Sequence, residues 1–224
     1  MLKSRSALFL LLPAGVALAA FTPDRAPTDE ADAAPAALAA EAPAAVRLTV
    51  ASSGNEVRYR VREQLVGRDL PNDAVGETSV VTGAIVIDEN GRIVRDQSSI
   101  VVDVTGLTSD SDRRDGYVQR RLLEGEAHPT VTLVPTEAHG LSGAVPASGT
   151  ATLHLMGDLT VKGVTRPTAW EVTARFEENR VTGSASTAFT FDDFELTQPR
   201  VPVLLSVADT IRLEYDFTLE RENL

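Results

Sequence analysis

Ten residues near the end of the chain alternate without a break. Ile211, Leu213, Tyr215, Phe217 and Leu219 interleave with Arg212, Glu214, Asp216, Thr218 and Glu220. A period of two cannot place one face of a helix in a core. It is what a strand needs when one side is buried and the other meets water. The same pattern recurs where Val57, Tyr59 and Val61 oppose Arg58, Arg60 and Arg62. It recurs again where Trp170, Val172, Ala174 and Phe176 oppose Glu171, Thr173 and Arg175. A chain patterned this way must build sheets.

Turn signals separate these runs. Asp88-Glu89-Asn90-Gly91 lies between Ala84-Ile85-Val86-Ile87 and Ile93-Val94, and Asn-Gly is a strong hairpin signal because both residues tolerate positive φ. Glu177 to Arg180 separates the Trp170 run from Val181 to Phe189. With further runs at 98–104, 128–134 and 150–155, the chain is expected to hold roughly eight or nine strands from residue 46 to 224. Many short strands of this kind make an all-β antiparallel sandwich or barrel. One segment departs from the pattern. In residues 109–123, Tyr117 and Arg121, and Val118 and Leu122, stand four apart, with Ser109 or Asp110 in position to cap. A short helix between strands is expected there. Gly116 weakens it by about 1 kcal/mol.

The composition narrows the chemistry. The 224 residues contain no cysteine, which excludes disulfides, thiolate metal ligands and thiol nucleophiles. The formal net charge is −11. That balance opposes nucleic-acid binding and electrostatic docking on anionic membranes, both of which need clustered Lys and Arg. Aromatic residues make up only 5%, so each one counts. Small residues such as Ala84, Ala151, Ala169, Ala174 and Ala185 fall within strand runs. They suit a hollow barrel, yet composition does not separate a hollow interior from a filled one.

Residues 1–21 read as an export signal or N-terminal anchor. Lys3 and Arg5 precede the apolar stretch Ala7–Ala20, and Ala17 and Ala19 supply the small residues for cleavage after Ala19. Residues 22–45 are almost all Ala, Pro, Asp and Glu. They lack the apolar side chains that would offset ordering entropy, and are expected to form a disordered tether.

No catalytic or metal-binding arrangement stands out. His128, His139 and His154 lie too far apart for a strand or helix pair of ligands. Asp110-Ser111-Asp112 opens like a calcium loop, but Arg114, Asp115 and Arg121 hold the positions where Asp or Asn, Gly and Glu are required. No nucleophile elbow, phosphate loop or dinucleotide fingerprint is present. Enzyme function, metal and cofactor are therefore not expected.

Three blocks in order carry a resemblance. Gly157-Asp158-Leu159-Thr160-Val161-Lys162-Gly163-Val164-Thr165-Arg166-Pro167 resembles the signature hairpin of YceI-like proteins. Arg114-Asp115 followed by His128-Pro129-Thr130-Val131-Thr132-Leu133 resembles their Arg-Asp helix and the strand after it. Val81 to Ile85, an Asn-Gly turn, Ser99 to Asp103 and Leu107 complete the order. The resemblance spans roughly residues 48–219. It departs in three places. Phe191-Asp192-Asp193-Phe194-Glu195 lacks the Arg and Gly of a common Arg-Ser-Asp-Phe-Gly motif, His128 stands where Tyr is usual, and 67–78 reads as an insertion that lengthens a connection.

The resemblance implies a lipocalin-like antiparallel barrel of about eight strands. It implies an exported bacterial protein that encloses a long isoprenoid or similar lipid without catalysis. The lumen candidates are Tyr59, Val61, Trp170, Phe189, Phe191, Phe194, Tyr215 and Phe217. A protein-interaction or structural barrel with a filled core, in which the 68–77 segment is a partner loop, stays open at this point. So does a homodimer.

Overall fold

A computed structural model describes residues 45–141 and 143–224. The expected signal or anchor, and all but the last residue of the expected tether, lie outside the described residues.

Among the described residues, eleven strands form one antiparallel sheet. They are β1 (Val46–Val50), β2 (Glu56–Leu65), β3 (Asn72–Thr78), β4 (Val81–Ile87), β5 (Ser99–Asp103), β6 (Thr108–Ser109), β7 (Thr130–His139), β8 (Gly149–Val161), β9 (Val164–Glu177), β10 (Arg180–Thr190) and β11 (Leu204–Asn223). Eight of them close a ring in the order β1-β4-β5-β7-β8-β9-β10-β11, with β11 returning to β1. Of the sandwich or barrel that the alternation allows, the structure is a barrel, closed by eight strands as the resemblance implies.

The other three strands arise because one side of the barrel is broken. Residues 219–223 of β11 pair with β1, while residues 204–216 pair with β2. β1 and β2 are thus two halves of one wall, interrupted at 51–55. The next wall breaks between β3 and β4, and the one after that between β5 and β6. Three neighbouring walls are interrupted, so the barrel has a lower part closed by the ring and an upper part flanked by β2, β3 and β6.

The side chains explain the break. Asn55 is buried at the interruption. Its Nδ2 donates to the Ala51 carbonyl at 2.8 Å, and its Oδ1 accepts from the Tyr215 hydroxyl at 2.8 Å and the Thr218 amide at 3.1 Å. One amide side chain satisfies backbone groups that the missing ladder would otherwise have paired. Outside, Arg60 lies 3.3 Å from Glu214 and 3.4 Å from Asp73, and Arg62 lies 3.0 Å from Asp73. Arg62 directly faces Asp73 and Arg60 reaches Glu214 and Asp73 on the diagonals, so opposite charges across β3, β2 and β11 favour this register over a slipped one.

Three details differ from the expectations. Residues 72–78 are strand β3 and not part of an inserted loop. Their inward positions are Ala74, Gly76 and Thr78, too small and polar to read as a strand. Gly76 is required because a Cβ there would strike the Tyr59 ring. The Asn90-Gly91 turn leads only to a bridge between Ile87 and Ile93, and β4 takes β5 as its partner. The helix α1 (Asp112–Tyr117) starts later than expected and is capped by Ser111, whose side chain accepts from the Arg114 amide. Ser109 is not free to cap, since its backbone pairs in β6 and its hydroxyl donates to Asp115 Oδ1 at 2.5 Å. A wider turn over Val118–Leu122 then carries Val118 into the core.

Candidate ligand-binding site

The lower barrel is packed with side chains from every wall, including Leu48, Leu153, Leu155, Trp170, Phe176, Val181, Phe217 and Leu219. It retains an apolar cavity of about 120 Å³. The upper part, between β2, α1, the β10–β11 connection and the inner face of β11, encloses a second cavity of about 1220 Å³. Small-molecule pockets run to roughly 300–1,000 Å³, so this space suits a long ligand. Val57, Val131 and Leu213 line both cavities, which therefore meet at a shared layer of three aliphatic side chains.

The large cavity is apolar over most of its wall and polar beside the helix. Val57, Tyr59 and Val61 reach it from β2, Val118, Leu122 and Leu123 from the helical segment, and Phe189 and Phe191 from the end of β10. Glu63 faces inward and is only 6% exposed. It pairs with Arg114 at 2.8 Å and accepts from Asn72 Nδ2 at 3.1 Å. Arg114 also bonds Asp110. Burial works against the Arg114 charge, but Asp110 and Glu63 more than offset it and raise its pKa above the ordinary guanidinium value. Burial pushes the Tyr59 phenol up to about 12, and its hydroxyl finds no partner among the described residues. The phenol therefore stays neutral.

The structure separates the sequence-predicted lumen residues into two groups. Tyr59, Val61, Phe189 and Phe191 line the large cavity. Trp170, Tyr215 and Phe217 line the small one. There the indole N–H donates to Thr168 Oγ1 at 2.9 Å, and the Tyr215 and Phe217 rings lie 5.7 Å apart. Phe194 lines neither cavity. It is fully buried behind Phe189, edge to face at 4.5 Å. Of the small residues, Ala174 and Ala185 face the small cavity, whereas Ala169 is exposed.

Sequence reasoning missed the polar side of the site. Glu63 carried a usable signal: it falls in phase with Val57, Tyr59 and Val61, so a carboxylate occupies an inward position. Nothing local marked residues 196–203, an irregular connection whose Leu196, Pro199 and Val201 form cavity wall. His139 is exposed and lies 3.1 Å from Glu137, and His154 points to solvent. No group of three or more metal-ligating side chains occurs among the described residues.

A family model described as the YceI-like domain matches residues 48–219. Two solved structures share the fold. A polyisoprenoid binding domain from Saccharophagus degradans, implicated in plant cell wall breakdown, is 14% identical with a TM-score of 0.61, over 80% of this chain and 99% of that one. Burkholderia cenocepacia BcnA is 15% identical with a TM-score of 0.55, over 75% of this chain and 98% of that one. No curated protein sequence matches the chain.

Proposed function

The chain belongs to the family of YceI-like domains, and from that premise we propose that it is an exported, non-catalytic carrier of a long apolar lipid, a polyisoprenoid or an isoprenoid quinone. The observation that carries this reading is the cavity of about 1220 Å³ with its mostly aliphatic and aromatic wall. Each methylene buried there contributes about 0.8 kcal/mol, so length alone provides affinity. A domain of similar fold is described as polyisoprenoid binding, which favours the same ligand class. Export rests on the apolar N-terminal segment with its small-residue cleavage site. No helix among the described residues is long and apolar enough to cross a membrane.

Native mass spectrometry of the protein purified from its own host tests the reading. An added mass matching an isoprenoid lipid, lost on organic extraction, is the expected result. Protein that emerges without added mass and takes up no polyprenol or quinone from detergent overturns it.

A further inference from the structure

A lipid cavity needs a route by which lipid enters, and the end of the barrel above the large cavity carries an unusual surface. Six large apolar side chains are strongly exposed among the described residues, and four of them sit here. Val66 (55% exposed) and Leu70 (77%) lie on the β2–β3 connection. Val203 (40%) precedes β11 and Leu205 (65%) lies at its start. The two segments are joined, because the Val66 amide donates to the Val203 carbonyl at 2.9 Å and Leu65 pairs with Leu204. Val66 and Val203 also line the cavity. The apolar wall therefore continues over this side of the rim and out onto the surface, with Arg68 and Asp69 set between Val66 and Leu70 and the other charged groups of the mouth on the helix side.

We infer that this rim is a membrane-docking surface, in which Val66, Leu70, Val203 and Leu205 enter the interfacial region of a lipid bilayer and open the cavity onto it. The inference rests on the carrier reading for its purpose, but not for its geometry. Clustered exposed apolar side chains mark partners rather than bulk solvent. Continuity with a lipid cavity selects a lipid phase over a protein, since a lipid leaving the cavity would cross this rim without meeting water. Charge agrees with an apolar mode of docking. Arg68, Arg113 and Arg114 stand against Glu63, Asp69, Asp110 and Asp112, one acid in excess, so this end is near neutral on a chain of formal net charge −11. A neutral bilayer is thus sufficient.

Leu70→Trp places a reporter at the rim, and the single native Trp170 is buried and distant in the lower barrel. Phosphatidylcholine vesicles are expected to shift the reporter's emission to the blue and expose it to a bilayer-embedded quencher. Adding Leu205→Asp should weaken vesicle binding about tenfold. Emission that stays unchanged with excess vesicles overturns the inference. A dimer that forms through the rim and is abolished by Leu205→Asp overturns it too, in favour of a second copy. Uptake of detergent-delivered polyprenol, measured in parallel, separates the two readings. Vesicle binding without uptake sinks the carrier alone, and uptake without vesicle binding sinks the docking surface alone.

Discussion

Tyr215 donates its hydroxyl to Asn55 Oδ1 across 2.8 Å, and so joins the wall of the small cavity to the point where the first long strand breaks. Burial raises the Tyr215 pKa above the ordinary phenol value, which keeps the hydroxyl a donor throughout the physiological range. Asn55→Ala removes acceptors from both Tyr215 and Thr218 and is expected to cost about 2–3 kcal/mol in urea unfolding. Tyr215→Phe should cost about 1 kcal/mol. The double variant should cost less than the sum, because both substitutions break one shared bond.

The two cavities should respond oppositely to substitution. Phe217 is packed in the lower barrel, and Phe217→Ala is expected to cost about 3–5 kcal/mol of stability. Val61 faces the large cavity, so Val61→Phe grows into empty space. Its stability should change by less than about 1 kcal/mol while uptake of long isoprenoids falls. Equal stability losses for both variants would mean that the upper part is not hollow in solution.

Glu195 adopts φ 55° at the end of a short helical turn, a conformation that favours glycine. Among the described residues its only ion pair is a long one, 3.8 Å to Arg166 on the surface. Glu195→Gly is therefore expected to stabilise the protein by about 1 kcal/mol, read as a higher thermal midpoint.

The Arg114–Glu63 pair is expected to behave as buried charge. Arg114→Ala strands Glu63 at an inward position and should cost about 3–5 kcal/mol. Replacing both, as Arg114→Met with Glu63→Leu, should recover most of that loss. A double variant as unstable as Arg114→Ala would show that the pair, and not the desolvated charge, carries the energy.

The charged ladder outside the barrel predicts a weak pH dependence. Arg60, followed by Arg58, holds the Glu214 carboxylate below its ordinary pKa. A lowered folded pKa contributes stability that is present above the unfolded value, near 4.3, and is lost as pH falls through the folded one. Glu214→Gln should thus cost less than about 1 kcal/mol at pH 7 and nothing in strong acid. Raising the salt concentration should shrink the difference at pH 7.

Inside and outside were legible in the chain because they follow from a period of two, which each residue carries locally. Residues 211–220 and 170–176 could be read directly. Residues 72–78 could not, because Gly76 lacks a side chain for a reason that lies on another strand, in the ring of Tyr59. The helix cap moved from Ser109 or Asp110 to Ser111 for a related reason, since pairing in β6 occupied Ser109. At the site, the aromatic residues were identifiable but their grouping was not. Phe189 and Phe194 belong to similar sequence surroundings, yet one lines the large cavity and the other is packed behind it.

By itself the sequence determined an all-β antiparallel fold, its charged exterior and most of the apolar side chains directed inward, because alternation and turn chemistry are local properties. Only the tertiary structure decided that the barrel is packed below and hollow above. Whether facing side chains meet or leave a void depends on the distance between walls. Here the pairing of three neighbouring walls breaks together at Asn55 and beyond, a coincidence no single strand records.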